Sequence, residues 1–350
     1  MNKIFKTVLS LCLLASVILM TACQQALPTA PNGAYFLENE GNISIIGNID
    51  ELNEYVVTFT KSTNTFAKDV QIDLTKEEVD GVSFNKYTTH LTNSKYNDED
   101  CYLLETSLVY KVHYALYGES KGEFINTTTE KVYFRSVSNK LRPIYSEQSV
   151  LATSPIRSED GKFSLSTLEY SVTTTYDNDS AVVNFSHTQG DFGIPDGERT
   201  YTKLNKSNYY FDNATLLFVP RTINLNDSAN LTFTVIDAIS GINRTLTMSS
   251  DQQTPNEKLI FSTTNTAEGV INHDYFINNH KDFIEDDSQV IPCQVVNFAI
   301  SGTFSGAPIK CWYANTSLEN ARARLIKTQS SAPYSLGTFT TTIVKTTVTG

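Results

Sequence analysis

Leu108, Tyr110, Val112, Tyr114 and Leu116 alternate with Val109, Lys111, His113 and Ala115. A two-residue period puts the two sets on opposite faces of a strand, so Leu108–Tyr117 reads as a strand with one face turned to a core. Gly118–Gly122 marks the turn that follows. Phe124–Asn126 and Lys131–Val137 continue the pattern, and Leu141–Ser146 and Val150–Leu151 follow the polar Ser138–Lys140. Leu168–Tyr176 and Ala181–Ser186 flank the Asn/Asp turn Asp177–Ser180, a hairpin signature. A second hairpin is predicted from Asn230–Ile236 and Asn243–Ser249 around Ala238–Gly241. Lys258–Ser262, Gln294–Ser301, Ile309–Ala314 and Leu336–Val348 supply later strands, and Ile43–Ile46, Glu54–Thr60 and Asp69–Leu74 earlier ones. The acidic Thr75–Asp80 predicts one helical turn, and the polar Asn93–Asp100 a surface loop. His187–Thr200, with Gly190, Gly193, Pro195 and Gly197, predicts a long loop of the kind that often carries function.

One segment breaks the alternation. Tyr209–Leu225 reads YYFDNATLLFVPRTINL. Asp212 is an N-cap for a short helix over Asn213–Val219, which Pro220 ends. Phe211, Leu216, Leu217, Phe218 and Val219 are too dense for an exposed helix and are expected to plug or pack against the sheet. Arg221, directly after them, either salt-bridges inside or near a cavity or covers the helix end. Asn265–Asp287 is a polar, acidic excursion with part-helical character. Ser317–Lys327 has a helix-like start, but Leu325–Lys327 reads equally as strand. About twelve strands in hairpin order with one or two short helices make the chain mainly β. The expected fold is an antiparallel meander forming a curved half-barrel or incomplete barrel, or two sandwiches.

The chain opens differently. Lys3 and Lys6 precede a 13-residue apolar run, Val8–Met20, and Thr21 and Ala22 lead into Cys23. A spanning helix needs about 20 apolar residues, so the run reads as a secretory signal, residues 1–22. Met20-Thr21-Ala22-Cys23 resembles the lipobox of bacterial lipoproteins, which implies cleavage before Cys23 and acylation of its thiol. Each buried CH₂ adds about 0.8 kcal/mol, so several chains on Cys23 anchor the protein durably to membrane lipid. The expected location is the bacterial cell envelope, on the outer membrane in a double-membrane organism because Gln24 follows the cysteine. Residues 23–38, with Pro28, Pro31 and Gly33, read as a lipidated tether. Residues 39–350 read as a single large β domain, with extra strands over 39–100 and a half-barrel-like part over 101–350.

Composition agrees with β-structure: 18 Tyr and 19 Phe stand beside abundant Thr, Ser and Asn. Without residues 1–22, which hold Lys3 and Lys6 and no acidic residue, the formal net charge of −11 becomes −13. That argues against nucleic acid and anionic lipid headgroups as main partners, since both need a basic face. The Asn-x-Ser/Thr triplets at Asn126, Asn213 and Asn230 read as products of an Asn- and Thr-rich composition. Cys101, Cys293 and Cys311 remain after Cys12 leaves with the signal and Cys23 is acylated, so at least one thiol is unpaired. Cys293 and Cys311 flank an apparent hairpin and are a disulfide candidate pair that would contribute about 3 kcal/mol; the alternative is two reduced, buried thiols.

Candidate chemistry is sparse. His273 and His280 stand seven apart in HDYFINNH beside Asp274, a weak metal candidate whose alternative is a solvated loop or helix face, and the spacing of Asp282, Glu285, Asp286 and Asp287 does not match a calcium loop and reads as a charged surface. There is no Gly-x-Ser-x-Gly nucleophile turn and no Gly-rich phosphate loop. The reading is therefore non-enzymatic, with no metal and no cofactor.

From Leu108 onward the order of features resembles an uncharacterised bacterial family of lipoprotein-carrier-like half-barrels. Leu108–Tyr117 resembles its opening strand and Lys140–Tyr145 a strand pair ending in Leu-x-Pro. Tyr210–Phe218 followed by Arg221 resembles its inner short helix, and Ile291–Val296 and Pro333–Gly337 its last strands. The resemblance implies a curved sheet with an apolar concave face, partly closed by the short helix, that binds lipid chains or other apolar ligands. Phe211, Leu216, Leu217, Phe218 and Arg221 are then the candidates to line that cavity. The alternative is a surface interaction or adhesion lipoprotein of β-sandwich modules that binds glycan or protein.

Overall fold

The structure is a computed structural model that describes residues 50–75, 78–79, 82–83, 85–137, 140–177, 179–190, 195–202, 204, 210–222, 230–237, 242–250, 257–260, 290–300, 309–314 and 324–348. Within these, the strands in chain order are β1 (Asp50–Lys61), β2 (Val70–Leu74), β3 (Glu78–Val79), β4 (Val82–Ser83), β5 (Lys86–Tyr96), β6 (Glu99–Leu116), β7 (Glu119–Val137), β8 (Lys140–Arg157), β9 (Phe163–Tyr176) and β10 (Ser180–Gln189). They continue with β11 (Gly197–Thr202), β12 (Tyr210–Phe211), β13 (Asn230–Asp237), β14 (Ile242–Ser250), β15 (Glu257–Ile260), β16 (Val290–Ile300), β17 (Ile309–Ala314), β18 (Leu325–Ser331) and β19 (Gly337–Val348).

The chain is mainly β, and among the described residues its large antiparallel sheet curves without closing. From β5 to β11 each strand pairs with the next as hairpins and meanders. At the far side β16 to β19 do the same. β1 joins the two halves, pairing with β5 along one edge and β19 along the other. β1, β2 and β5 are therefore part of the same large sheet as the later strands, while β3 and β4 pair separately. β2 continues the place of β5 beside β6. β14 and β15 both pair with β16, β13 pairs with β14, and the two-residue β12 adds to β13 in parallel.

The alternation that predicts the strands also sets the faces. In β6, Val112, Tyr114 and Leu116 are buried, as the two-residue period requires. In β1 the inward set is Glu51, Asn53, Tyr55 and Val57. The hairpin turns use left-handed backbone: Asn97 (φ 51°) and Asp98 (φ 66°) join β5 to β6, and Tyr117 (φ 54°) and Gly118 (φ 82°) join β6 to β7. Such pairs match the strand twist. Gly337 is needed for a different reason. A Cβ there would lie 2.3 Å from Phe59 Cζ and 2.4 Å from the Thr60 carbonyl oxygen, so only glycine lets β19 start against β1.

Several expectations change. Asn93–Asp100 is not a loop: its polar residues are the outer ends of β5 and β6, and only Asn97 and Asp98 turn. Of His187–Thr200, the first three residues end β10 and Gly197–Thr200 begin β11, which pairs back from Phe185↔Gly197 to Ser180↔Thr202, while residues 191–194 lie outside the described residues. Glu78–Val79 is strand paired with β4, not helical turn. Leu325 begins a strand, which settles that ambiguity. The predicted disulfide does not form: Cys101, Cys293 and Cys311 are buried thiols outside any disulfide. Cys311 faces Val296 across the ladder while Cys293 faces Ala314. The two thiols are thus three positions out of register and on opposite faces of the sheet, beyond the reach of an S–S bond. Met1–Cys23, Ile43–Ile46 and Asn265–Asp287 lie outside the described residues.

Candidate functional site on the concave face

The buried side chains of the concave face gather in three groups. At one end, Val70, Ile72, Val112, Tyr114, Leu116 and Phe163 form a core under the turn Thr65–Lys68. Phe66 from that turn meets the edges of Phe163 and Tyr334. A second group lies on β9 to β11, with Val172, Val183 and Phe185, and takes in Tyr210 of β12. The largest joins β1, β5, β6 and β7 to β16, β17, β18 and β19, and the segment Tyr210–Thr222 sits inside it.

That segment is built from its own local chemistry. Asp212 is in extended backbone and its side chain accepts from the Ala214 N–H at 2.9 Å, capping the 3-10 turn Asn213–Thr215. Thr215 Oγ1 donates back to the Asp212 carbonyl oxygen at 2.8 Å. The expected N-cap is present, but the helix is not. The chain passes through a turn and a second 3-10 turn, Val219–Thr222, that contains Pro220. With few good helix formers and apolar side chains on every side, tertiary burial rather than helix hydrogen bonding holds the segment.

Polar anchors at both ends tie it to the sheet. At its start the Asp212 carboxylate accepts from Tyr176 Oη of β9 at 2.6 Å and from Ser146 Oγ of β8. Burial and the Asp212 charge push the Tyr176 hydroxyl well above its ordinary pKa, so it remains a donor. At its end Arg221 forms a two-point ion pair with Glu51 of β1, at 2.8 and 2.9 Å. Arg324, just before β18, approaches the same carboxylate at 3.4 Å. Asn53 Nδ2 donates to Glu51 at 2.7 Å, and Thr346 of β19 donates to Asn53. Burial alone would raise the Glu51 pKa. The Arg221 and Arg324 charges and the hydrogen bonds from Arg221 and Asn53 outweigh it and hold the carboxyl well below the usual carboxylate range.

Between the segment and the sheet is a space lined by Tyr55, Tyr87, Leu91, Leu104, Leu217 and Phe218, with Glu51, Asn53 and Arg221 at its polar side. Its volume is about 30 Å³, room for about one or two waters. A drug-sized ligand occupies roughly ten times that or more. Of the predicted lining residues, Leu217, Phe218 and Arg221 reach this space. Phe211 and Leu216 are buried in the surrounding core instead. Phe218 stacks near Phe134 of β7, its ring centroid 5.6 Å away, and the Arg221 guanidinium sits 5.1 Å from the Phe218 ring centre. Tyr313 Oη of β17 donates to the Leu217 carbonyl at 2.9 Å.

Sequence reasoning missed the polar half of the site. Glu51 and Asn53 precede the apolar run of β1, but counting back in twos from Tyr55 puts both on the inner face. A further carboxylate, Glu130 of β7, accepts from Thr106 at 2.9 Å and Gln148 at 2.7 Å. Burial raises its pKa, and the Asp212 charge adds to that. Among the described residues, no three His, Cys, Asp or Glu side chains gather as a metal site requires.

No protein-family model matches the chain, and no curated protein matches it. Among solved structures the chain is similar to a β-barrel-like protein of domain of unknown function DUF1849 from Brucella abortus, at 6% sequence identity and a TM-score of 0.47, over 86% of this chain and 98% of that one.

Proposed function

We propose that the protein is a lipid-anchored, non-catalytic envelope protein that binds an apolar or lipid-like ligand against the concave face of its sheet. Its partners on this reading are membrane lipid, through acyl chains on Cys23, and that apolar ligand. The observation that carries the reading is the way the concave face is filled. Tyr55, Tyr87, Leu91 and Leu104 are covered by a chain segment with little ladder pairing of its own: among the described residues only Tyr210 and Phe211 pair as strand. Anchors at its two ends, Asp212 and Arg221, and one hydrogen bond from Tyr313 to the Leu217 carbonyl hold the rest. A filler of this kind can leave without unzipping the sheet. Its departure would expose apolar surface worth about 25 cal/mol per Å², which a ligand chain would cover again.

The tether supports the same reading. About 15 residues span at most roughly 50 Å, so the sheet works within reach of its own membrane. Two measurements test the proposal. Cells fed a fatty-acid analogue should label the wild-type chain and not Cys23→Ala. Native mass spectrometry of the full chain released from mild detergent should show a lipid-sized adduct beyond the covalent anchor. A mass without adduct, together with no uptake of fluorescent fatty acids, would overturn the ligand reading.

One observation favours a second reading, a surface interaction protein. On the outer face Tyr96, Tyr133 and Tyr145 gather with ring centroids 5.2 to 6.3 Å apart. They stand among the surface ion pairs Lys131–Glu105 and Arg135–Glu99. Loss of binding to envelope glycan or protein on Tyr133→Ser, with lipid uptake absent, would support this reading over the first.

A further inference from the structure

We propose that the Arg221–Glu51 ion pair is the head-group site for a single-chain amphiphile with an anionic head, and that the Glu51 carboxylate occupies in this state the position the ligand's anion takes. The inference rests on the ligand-binding reading of the concave face and names the class of ligand. Three observations carry it. First, the pair is buried and stands at the polar side of the space whose other walls are Tyr55, Tyr87, Leu91, Leu104, Leu217 and Phe218. An amphiphile needs that arrangement, an apolar slot with one charged end. Second, the guanidinium holds its carboxylate by two parallel N–H···O bonds, the geometry that matches carboxylate and phosphate oxygens and no neutral head. Third, the two partners belong to different bodies: Glu51 to the sheet and Arg221 to the filler.

That third point links binding to opening. An anionic head that takes Arg221 from Glu51 exchanges one carboxylate for another, so neither the guanidinium nor the site is left without a counter-charge. Arg324, 3.4 Å from Glu51 on a different element, stays to hold the displaced side chain. A neutral head of the same chain length makes no such exchange. It must open the pair and leave a buried charge uncompensated, which disfavours it by a factor on the order of a hundred. The ion pair that keeps the filler closed is therefore also the selector for what opens it.

The test uses the full chain in phospholipid nanodiscs, irradiated with a diazirine-bearing palmitic acid, its methyl ester, or a diazirine-bearing lysophosphatidic acid, with labelled peptides mapped by mass spectrometry. The acid is expected to label the peptide carrying Leu217 and Phe218 at least about tenfold more than the ester. Labelling by lysophosphatidic acid as well assigns the site to anionic heads in general, and labelling by palmitic acid alone assigns it to carboxylates; both support the proposal. Glu51→Gln removes the internal competitor and the pair that closes the filler, and is expected to raise labelling by the acid and, to a smaller extent, by the ester. Arg221→Gln is expected to bring the acid down to the ester. Equal labelling by acid and ester in the wild-type chain overturns the head-group site and leaves the ligand reading standing. Interior labelling by none of the three overturns both. Because the acid-to-ester ratio is read on the unaltered chain, the outcome does not depend on either variant folding.

Discussion

Arg221 and Glu51 lie 170 positions apart and meet through two hydrogen-bonded contacts of 2.8 and 2.9 Å at the buried end of β1. Glu51 is a residue of the central strand, and Arg221 ends the segment that fills the concave face. Breaking the pair from one side leaves a charge in a low-dielectric site, at a cost of about 3–5 kcal/mol. Glu51→Gln and Arg221→Gln should each lower stability by that order in urea denaturation. Replacing both by Leu and Met should recover part of the loss, because the desolvation of both charges disappears together while the buried Arg324 gives up its 3.4 Å contact with Glu51. The pH dependence has a definite sign. Glu51 has a folded pKa below its unfolded one, so its contribution is present above the unfolded carboxylate range, near pH 4, and is lost only as pH falls through the lower folded value. Single variants as unstable as the double variant's residual loss would show that the pair does not hold the segment.

Asp212 anchors the other end with three acceptor contacts, to Ser146, Tyr176 and the Ala214 N–H. Asp212→Ala removes the cap and leaves two buried hydroxyls without this acceptor, a loss of about 2–4 kcal/mol. Tyr176→Phe deletes one donor and keeps the ring stacked on Tyr210, whose centroid lies 6.0 Å away, so it should cost only about 1 kcal/mol. The measurement is equilibrium denaturation of both variants. The difference between them tests whether the carboxylate or the ring packing holds the segment start.

Much of this arrangement was legible in the chain, and what was not has a physical cause. The two-residue period of Leu108–Tyr117 set both its strand and its inward face. The dense Phe211–Val219 cluster pointed to an internal filler, and Arg221 either to an ion pair in or near a cavity or to a cover for the helix end. Asn93–Asp100 and His187–Thr200 read as loops because their side chains are polar. Outer-edge strand ends are polar too, and hairpin pairing is a backbone property. Glu51 and Asn53 escaped notice because an inward polar residue breaks the alternation that marks a strand. Their role exists only once Arg221 and Thr346 arrive from the far end of the chain. The disulfide failed on register, which spacing along the chain does not reveal.

The cysteines supply a direct check. Cys293 and Cys311 are buried on opposite faces of paired strands, and burial pushes the Cys311 thiol up, which keeps it protonated and unreactive. Melting temperature should be the same with and without a thiol reductant. Alkylation of Cys293 and Cys311 should require denaturant. A reductant-dependent shift in melting would restore the disulfide and contradict the strand register.

Gly337 tests how β19 starts against β1. A methyl group there would meet the Thr60 carbonyl oxygen at 2.4 Å, and backbone cannot yield as a side-chain end can. Gly337→Ala should destabilise by about 1–3 kcal/mol as the strand pair shifts. Phe59→Leu combined with Gly337→Ala relieves only the ring contact and should leave most of that loss in thermal denaturation.

Glu130 should behave in the opposite sense to Glu51. Burial raises its folded pKa, the nearby Asp212 charge adds to the rise, and the hydrogen bonds from Thr106 and Gln148 work against it. A raised carboxylate favours the fold when protonated. Its contribution is fully present below the unfolded value, near pH 4.3, and is lost as pH rises through the folded value. Glu130→Gln keeps the shape and an acceptor, and the Thr106 hydroxyl can turn to accept from the new amide. The variant should therefore melt higher than the wild-type chain at about pH 7, and the gap should close as pH falls to about 4. The Glu51 variant shows the reverse trend over acid pH, so the two carboxylates are separable in one set of melting curves. A Glu130→Gln difference that stays constant from about pH 4 to 8 would mean that the carboxyl is not held above its ordinary range, and that the polar floor of the concave face is solvated.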